Sequence, residues 1–299
     1  MILYNGASGG LGRYLGEPLR RTGARVHALA ARLEDQPGLA AELSRLEPDG
    51  AVTFIHLAAR VSVPACEADP DAAYSTNVSL ARATIGTALD WASRHGASAR
   101  VVYVSSGHVY AAQSEGCRLA EGDPTAPRSV YAMTKLAAED DLVSLTSSRG
   151  APMVVARVFG LLAPRQAPHY VLPGLIARAR TGRLSAIPGL DYARDYLDAR
   201  DVCEDLSLLA SATLPASPLI VNVCAGVPVT IRELLRSVLI VTAGDRADTL
   251  TQSATAAPGR ADDVQWLVGD PSRFSAITNS PPQRIPLSTS VVDAVTSAA

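Results

Sequence analysis

The chain opens with Met1-Ile2-Leu3-Tyr4-Asn5-Gly6-Ala7-Ser8-Gly9-Gly10-Leu11-Gly12, a short apolar run followed directly by a glycine-rich turn. The glycines at positions 6, 9 and 12 form Gly-x-x-Gly-x-x-Gly, and leucines at positions 11, 15 and 19 then recur at helical spacing. A strand, a glycine-rich turn and a helix in this order are typical of the start of a dinucleotide-binding fold. The glycines let the backbone approach a pyrophosphate, and the helix N-terminus supplies free N–H groups.

The glycine spacing differs from the Gly-x-Gly-x-x-Gly fingerprint, so a glycine-rich turn without a ligand is the alternative interpretation. The position of the turn, straight after a strand, favours the binding interpretation. On that interpretation the cofactor contacts of this segment come from Gly6, Ser8, Gly9, Gly10, Leu11, Gly12 and Arg13.

A second predicted strand, Arg25 to Ala30, leads to Arg32. In dinucleotide folds the end of this strand meets the adenosine ribose, where an acid suits a free 2′-hydroxyl and an arginine suits a 2′-phosphate. Arg32, with Arg13 nearby, therefore favours NADP(H) as the cofactor, and NAD(H) stays open. If Arg32 instead opens a compressed third strand, Glu34 and Asp35 lie near the ribose; a plain solvated charge is a further alternative.

Strand-like and helix-like segments alternate through the first half of the chain. Val52 to Leu57 and Val101 to Val104 are apolar runs that indicate buried parallel strands, and Asp71 to Arg94 indicates a helix between them. We predict an α/β fold with a Rossmann-type, doubly wound parallel sheet. Ligand sites in such sheets lie at the carboxyl ends of strands, where Ser106 is placed.

Proline and glycine become frequent from Pro164 onward, and the strict alternation of strands and helices weakens. We predict a dinucleotide-binding Rossmann domain over residues 1–160. Residues 161–299 are predicted to form mainly a smaller, mixed substrate-binding lobe, interleaved with the last Rossmann strands at about 197–224. Within this lobe, Thr230 and Glu233 have the spacing of a helix capping box.

Composition limits the classes of function. Hydrophobic residues make up 47% and charged residues 19% of the 299 residues, which is typical of a globular protein. A net charge of −2 gives no electrostatic case for binding nucleic acid or an anionic membrane. No secretory signal or spanning segment is recognised, and four scattered cysteines without metal-ligand spacing indicate reduced thiols. We therefore expect a cytoplasmic protein without a bound metal.

The segment Ser129-Val130-Tyr131-Ala132-Met133-Thr134-Lys135-Leu136-Ala137-Ala138-Glu139 predicts a helix. Residues four apart share a helix face, so the Tyr131 phenol and the Lys135 ammonium are expected side by side. A neighbouring cation lowers the pKa of a phenol, which suits it to general acid–base catalysis near neutral pH. The alternative is an ordinary exposed pair on an amphipathic helix.

Several ordered motifs together resemble the extended short-chain dehydrogenase/reductase family, in its nucleotide-sugar epimerase/dehydratase/reductase branch. The matching motifs are Gly6 to Gly12, His56-Leu57-Ala58-Ala59, Asn77-Val78, Val102 to Ser106, Tyr131 to Glu139, Arg194 to Asp198 and Asn222 to Gly226. The resemblance implies an enzyme that reduces the C4 ketone of a nucleotide-linked 4-keto-6-deoxyhexose with NADPH or NADH. It assigns the catalytic roles to Ser106, Tyr131 and Lys135.

The resemblance also implies roles for residues outside the catalytic group. Leu57, Ala58, Ala59 and Asn77 join Tyr131 and Lys135 on the cofactor side, and Asn77 supports either the Tyr131 helix or a water relay behind Lys135. Arg194 and Arg260 are expected to meet the substrate diphosphate, because the planar guanidinium pairs with two phosphate oxygens. Ser106, Gly107, His108 and Tyr131 are expected to contact the sugar.

Two positions depart from the family pattern. Dehydratases of this branch carry an Asp-Glu pair where this chain has Gly107-His108, which argues against dehydration. Gly160 stands where the family usually has Asn, so one substrate or cofactor contact is expected to be missing. The alternatives are an NAD-dependent C4 epimerase and a catalytically silent binding or regulatory protein. From the resemblance we also expect a homodimer through the helices around 71–94 and 129–146.

Overall fold

The computed structural model describes residues 1–168, 170–214, 218–260, 263–282 and 284–298; positions 261 and 262, within the family-like segment that follows Arg260, lie outside these ranges. The strands are β1 (Ile2–Tyr4), β2 (Val26–Ala28), β3 (Ala51–His56), β4 (Ser98–Ser106), β5 (Met153–Val158), β6 (Gly160–Leu162), β7 (Ile187–Pro188), β8 (Ala193–Asp198), β9 (Leu219–Val223), β10 (Pro228–Thr230), β11 (Ala256–Ala257) and β12 (Trp266–Leu267).

The helices are α1 (Gly12–Arg21), α2 (Gln36–Leu43), α3 (Val63–Ala68), α4 (Pro70–Tyr74), α5 (Ala81–Arg94), α6 (Val130–Ser148), α7 (Val171–Thr181), α8 (Ala199–Ser211), α9 (Ile231–Ala243), α10 (Ala247–Ser253), α11 (Ser272–Thr278) and α12 (Leu287–Ser297). A π-helical segment, Ser75–Leu80, joins α4 to α5. The single helix predicted from Asp71 to Arg94 is therefore interrupted at this segment.

Six parallel strands form the main sheet in the order β2-β1-β3-β4-β5-β9. One face packs against leucines of α1 and α8, and the other face packs against side chains of α2, α5 and α6. Neighbouring residues Phe54 and Ile55 of β3 point into these two different cores, as strand alternation requires. The predicted doubly wound, Rossmann-type parallel sheet is confirmed.

The strand order reverses between β1 and β3, so the carboxyl ends of these two strands border the cleft where ligands of open α/β sheets bind. Within the described ranges, no strand lies between β2 and β3. The alternative in which Arg32 opens a compressed third strand is thus wrong, and Arg32 lies in the connection from β2 to α2.

The chain beyond β5 builds a second, mixed sheet around β8. Strands β6 and β12 pair with β8 in parallel, and β10 pairs with it antiparallel. A third hydrophobic core gathers buried side chains of α7, α9 and α12. The predicted capping box is present at the start of α9, where Thr230 and Glu233 exchange hydrogen bonds. Strand β9 returns to the main sheet, so the two regions are interleaved along the chain.

In the described ranges no helix combines the length and apolarity that crossing a membrane requires.

Candidate active site

The glycine-rich turn after β1 is shaped by backbone geometry that only glycine fits. Gly6 has a φ of +72°, in the left-handed region that favours glycine. A Cβ atom at Gly12 would lie 2.0 Å from the Gly6 carbonyl oxygen, so helix α1 can start this close to the turn only with glycine there. At Gly10, in contrast, a Cβ atom would meet nothing within 4 Å, which leaves room for a phosphate to approach the backbone.

Helix α1 has no side-chain cap at its N-terminus, so its first-turn N–H groups are not bound by a capping side chain. The Arg13 side chain lies against the turn, with Nε donating to the Gly9 carbonyl at 3.3 Å. A helix N-terminus without a side-chain cap, a bare glycine backbone and a nearby cation together fit a dinucleotide pyrophosphate.

Asn5 ties the ends of β1 and β3 together. Its Oδ1 accepts hydrogen bonds from the backbone N–H groups of Leu57 and Ala58, at 2.9 and 3.1 Å. A Cβ at Gly6 would lie 3.0 Å from the Ala58 nitrogen. The segment 57–59 therefore lies directly beside the glycine-rich turn, as expected for residues on the cofactor side.

The predicted 2′-phosphate site has fewer fixed contacts. The backbone N–H groups of Ala30 and Ala31 donate to the Glu42 carboxylate at 3.0–3.1 Å, which fixes the chain after β2. Asp35 is the N-cap of α2 and accepts from the Gly38 N–H at 2.8 Å. Arg32 is exposed just before this cap, in the connection where an adenosine ribose would lie.

Ser106 and Tyr131 lie together at the carboxyl end of β4. Ser106 is the last residue of β4, and its hydroxyl accepts a hydrogen bond from the His108 N–H at 3.2 Å. Tyr131 lies in the first turn of α6, whose N-cap Ser129 accepts from the Ala132 N–H. Burial raises the pKa of Tyr131 to about 12, against a lowering effect of its hydrogen bond with Ser106.

His108 borders the same two hydroxyl groups. Its Nδ1 lies 3.2 Å from the Ser106 Oγ, and its ring meets that of Tyr131 edge-on with centroids 6.5 Å apart. Gly107 packs against the Phe159 ring, since a Cβ there would lie 3.0 Å from three ring carbons. The structure thus brings together all four residues expected to contact the sugar at this end of the sheet.

The expected lowering of the Tyr131 pKa by Lys135 is not found, and we correct it. Lys135 is buried, and its Nζ lies over the face of the Tyr103 ring, 4.2 Å from the centroid. Helical spacing puts Lys135 on the same face as Tyr131, but the strand β4 beneath the helix directs its ammonium group onto Tyr103. Burial lowers the pKa of Lys135 itself to about 7, and Glu139 opposes that shift.

Asn77, in the π-helical segment, makes three hydrogen bonds. Its Oδ1 accepts from the Arg60 N–H at 2.7 Å, and its Nδ2 donates to the Arg60 carbonyl at 3.0 Å and the Thr134 hydroxyl at 2.9 Å. Asn77 therefore joins the loop after β3 to the helix of Tyr131. Of the two roles considered for Asn77, these contacts favour support of that helix.

The two arginines expected at a diphosphate have different surroundings. Arg194 is buried, ion-pairs with Asp263 and donates to the carbonyl of Ala193. Arg260 lines a small cleft together with His108, Asp263 and Arg128, next to the catalytic helix. Arg128 was missed in the sequence; the signal was its position, three residues before Tyr131 and just outside the helix that carries it.

Comparison with known proteins identifies the family. The family model for the NAD dependent epimerase/dehydratase family matches residues 2–224, so the chain belongs to this family and the predicted resemblance is confirmed. A nicotinamide dinucleotide is the cofactor that this membership implies, and the glycine-rich turn described above fits it.

Two relatives are similar to the chain in sequence. A GDP-6-deoxy-D-mannose reductase of Pseudomonas aeruginosa is 33% identical over 204 residues, 64% of each chain, so the match spans just under two-thirds of that relative. A dTDP-6-deoxy-L-talose 4-dehydrogenase (NAD(P)(+)) of Kitasatospora kifunensis is 30% identical over 278 residues, covering 87% of this chain and 84% of that one. The motifs from Ser105 to Tyr110 and from Arg194 to Val202 resemble those of GDP-6-deoxy-4-keto-mannose reductase in particular, in agreement with the first relative.

Solved structures agree on the fold. RMD from Pseudomonas aeruginosa, complexed with NADPH, superposes with a TM-score of 0.79 at 26% identity, over 99% of this chain and 98% of that one. A Thermus thermophilus UDP-glucose 4-epimerase in complex with NAD gives the same TM-score and identity over 99% and 97% of the chains. Relatives of both cofactor types therefore share this architecture.

Proposed function

We propose that this protein reduces the C4 ketone of a nucleotide-linked 4-keto-6-deoxyhexose with NAD(P)H. The observation that carries the proposal is the Ser106 hydroxyl beside the Tyr131 phenol at the carboxyl end of β4, with a buried lysine one turn further along the helix of Tyr131. The names of the two sequence relatives described above both give a nucleotide-linked 6-deoxysugar as the compound on which the enzyme acts.

The cofactor supplies a hydride to the carbonyl carbon when bound. Negative charge then develops on the ketone oxygen, and the Ser106 hydroxyl stabilises it by a hydrogen bond. The Tyr131 hydroxyl gives its proton to that oxygen, so that the product is the alcohol. The high pKa of Tyr131 keeps this group protonated at neutral pH, as an acid in this direction must be. Lys135 holds the nicotinamide ribose.

The arginines near the site support a nucleotide diphosphate as the anchoring part of the substrate. Arg128 and Arg260 line the cleft beside His108, and Arg194 lies behind Asp263. Guanidinium groups bind phosphate oxygens in a bidentate manner. A diphosphate in this cleft would place its sugar toward Ser106 and Tyr131. We propose Arg128 as a third member of this group.

Dehydration is disfavoured by the shape of the site. A side chain at Gly107 would meet the Phe159 ring, and His108 is no carboxylate, so no acid stands at either position to remove a proton from C5. The matches to dTDP-glucose 4,6-dehydratases are shorter, such as 35% identity over 42% of this chain, and carry less weight than the two relatives described above. An NAD-dependent C4 epimerase remains the second candidate, since it would use the same Ser106, Tyr131 and Lys135.

The first experiment is to denature the purified protein and identify any nucleotide that it releases. A cofactor-free protein that binds NADPH in preference to NADH and reduces a nucleotide-linked 4-keto-6-deoxyhexose is the expected result, with Arg32 and Arg13 binding the 2′-phosphate. Stoichiometric NAD⁺ would favour the epimerase instead. Cofactor binding without turnover of either type of substrate would favour a silent binding protein.

We also propose a cytoplasmic homodimer. Tyr74 in α4 and Met133 in α6 are 53% and 51% exposed, and the hydrogen bond between Asn77 and Thr134 links the segments that carry them. Exposed large apolar side chains on neighbouring helices support an interface there. A monomeric mass at micromolar concentration in light scattering would contradict the dimer.

A further inference from the structure

Lys135 is the single lysine of the sequence, and every other member of the 27 Lys and Arg is an arginine. Arginine stays protonated in proteins, whereas a buried lysine can lose its proton. Because Lys135 is buried, the groups around it determine whether its side chain is protonated.

The groups that face Lys135 come from three elements. Strand β3 contributes His56, strand β4 contributes Tyr103, and α6 itself contributes Tyr131 and Glu139. Burial and the Lys135 charge lower the pKa of His56 to about 3, so its ring is neutral. Burial raises the pKa of both tyrosines, so both are neutral as well. Among these groups Glu139 is the one that carries negative charge at neutral pH.

The Glu139 carboxylate is held from two strands. Arg157 of β5 donates to it through Nη2 at 2.7 Å and through Nε at 3.2 Å, and the Ser105 hydroxyl of β4 donates to Oε1. Glu139 and Arg157 are both buried, and the Arg157 guanidinium in turn lies on the Tyr110 ring, 4.6 Å from its centroid. The charge is thus fixed one helical turn beyond Lys135.

The water relay considered for Asn77 would have given Lys135 a different support. All the hydrogen bonds described for Asn77 go to Arg60 and Thr134, and none goes to Lys135. In the described residues the electrostatic support of Lys135 comes from Glu139, which follows it on the helix, whereas the Asn77 partner Thr134 precedes it.

We propose that Glu139, fixed by Arg157 and Ser105, is a positioning residue that keeps the Lys135 side chain in its ammonium form in the active site. Glu139 and Lys135 are both buried and lie one helical turn apart on α6, and in a low-dielectric interior such a carboxylate favours the neighbouring cation far more than it would in water. The use of the Lys135 ammonium in catalysis rests on the proposed function, whereas the effect of Glu139 on the protonation of Lys135 is independent of it.

The single lysine makes the proposal measurable at one atom. Protein grown with lysine carrying ¹³C at Cε gives one lysine signal, from Lys135, whose chemical shift follows protonation. We expect a midpoint near pH 7 in the unaltered protein. In Glu139→Gln the midpoint is expected to fall by ~1 pH unit or more. At a pH above the midpoint, the fraction of Lys135 in the ammonium form would then be roughly tenfold smaller. The descending limb of the pH–rate profile for ketone reduction should move the same way.

The matched control is Asp140→Asn, which removes the same charge from the neighbouring, exposed position of α6 and should leave the midpoint in place. A folded Glu139→Gln protein whose Lys135 midpoint stays within ~0.3 unit of the unaltered value would overturn the proposal. If that variant does not fold, Glu139→Asp decides: drawing the carboxylate back by one methylene should lower the midpoint, and an unchanged or higher value would overturn the proposal.

The titration needs neither substrate nor turnover. A shifted lysine midpoint in a protein that reduces no sugar would refute the proposed reaction and leave the role of Glu139 standing. An active enzyme whose Lys135 midpoint does not change in Glu139→Gln would support the proposed reaction and refute the role of Glu139.

Discussion

Tyr131 differs from a surface tyrosine in its hydrogen bond with Ser106 and in its burial beneath His108. Burial raises the pKa of Tyr131 and so keeps the proton on the phenol, whereas the Ser106 hydroxyl lowers that pKa and lies beside the place where a ketone oxygen would bind. The direction of its pKa shift suits a proton donor, which is what carbonyl reduction requires.

Replacing Tyr131 with Phe removes the transferable proton and leaves the ring, so packing should survive. We expect ketone reduction to fall by at least ~10²-fold while cofactor binding persists. Steady-state turnover and fluorescence titration with NADPH measure the two effects separately. Tyr74→Phe, at an exposed position of α4, is the control that should retain turnover; an active Tyr131→Phe enzyme would remove Tyr131 from the mechanism.

Sequence reasoning at the residue scale succeeded where the signal was local. Ser106 ends a strand and Tyr131 starts a helix, and both facts are visible in the chain. The surroundings of Lys135 were not visible in the sequence, because they come from other strands. Tyr103 of β4 contacts Lys135, and Arg157 of β5 contacts Glu139. Spacing alone predicted that Lys135 would lower the Tyr131 pKa, and burial decided the opposite direction.

The π-helical segment Ser75–Leu80 is the element that connects the cofactor side to the catalytic helix. Extra residues per turn are a local departure from α-helical geometry that often occurs at functional sites. Here the segment places the Asn77 amide between the Arg60 backbone and the Thr134 hydroxyl. A sequence pattern with helical periodicity predicts a continuous helix and gives no sign of this insertion.

Asn77→Ala should loosen α6 from the loop after β3, because three hydrogen bonds are lost and the Arg60 N–H loses its acceptor. We expect a destabilisation of ~2–4 kcal/mol in urea unfolding and a weaker affinity for the cofactor. Ser79→Ala, exposed in the same segment, controls for disturbance of the helix. Equal stability of the two variants would contradict the connecting role of Asn77.

Strand β6 packs closely against β8 at Gly160. From the sequence, Gly160 was treated only as the loss of a substrate or cofactor contact, but the glycine also has a packing role. A Cβ there would lie 2.6 Å from the Asp195 carbonyl oxygen and 2.8 Å from the Tyr196 ring. The tyrosine ring fills the space beside the glycine, so the Asn usual in the family has no room in this chain.

Gly160→Asn, which restores the family residue, is therefore expected to lower the melting temperature by several degrees, equivalent to ~1–3 kcal/mol of overpacking. Gly174→Ala in α7, where an added Cβ meets nothing within 4 Å, is the control and should be neutral or stabilising. Differential scanning calorimetry measures both; a Gly160→Asn protein as stable as the control would refute the packing argument.

Across the whole molecule, buried carboxyl groups tie the second sheet and the C-terminal segment to the Rossmann region. Asp195 accepts hydrogen bonds from the N–H groups of Ala225, Gly226 and Gly269, and Asp205 ion-pairs with Arg284 at 2.9 Å. Burial raises the pKa of Asp195 to about 6 and that of Asp205 to about 7.

These shifts predict how stability changes with pH. An unfolded Asp has a pKa of about 3.9, so between about pH 4 and pH 7 the folded protein holds more protons than the unfolded chain. Asp195 and Asp205 should therefore lower the free energy of unfolding as the pH rises through this interval, at ~1.4 kcal/mol per pKa unit. His56, which is neutral in the folded protein with a pKa of about 3, opposes this change up to about pH 6.5, so the expected net effect is a smaller fall. Carboxyl groups with a lowered pKa, such as Asp198, oppose this trend only below about pH 4.

Urea unfolding between pH 4.5 and 7.5 tests this dependence, and Asp205→Asn should flatten it at the cost of a lower overall stability. Stability that rises over the same interval would contradict the assignment of protonated Asp195 and Asp205. Glu115→Gln, at an exposed position away from Asp195 and Asp205, should leave the slope unchanged.

At this scale the fold was largely predictable from the sequence. The glycine-rich turn and the alternation of apolar strands with helices depend on short-range patterns, and these indicated the parallel sheet. The pairing of β6, β10 and β12 around β8 joins segments up to about seventy residues apart, and such short strands carry little pattern of their own. Arg128 and Arg194 both bond to Asp263, and Arg260 lines the same cleft as Asp263, because the chain from β6 to β12 folds back around β8.

The arginine-rich, lysine-poor composition has a practical consequence. Reagents that acylate or reductively alkylate primary amines find, besides the N-terminal amine, one lysine side chain in the whole sequence, and it lies in the active site. Because this side chain is buried, its labelling in the folded protein should be slow, and under the proposed function a bound cofactor should slow it further. Mass spectrometry of the labelled protein would count bound sites through the protection of a single lysine.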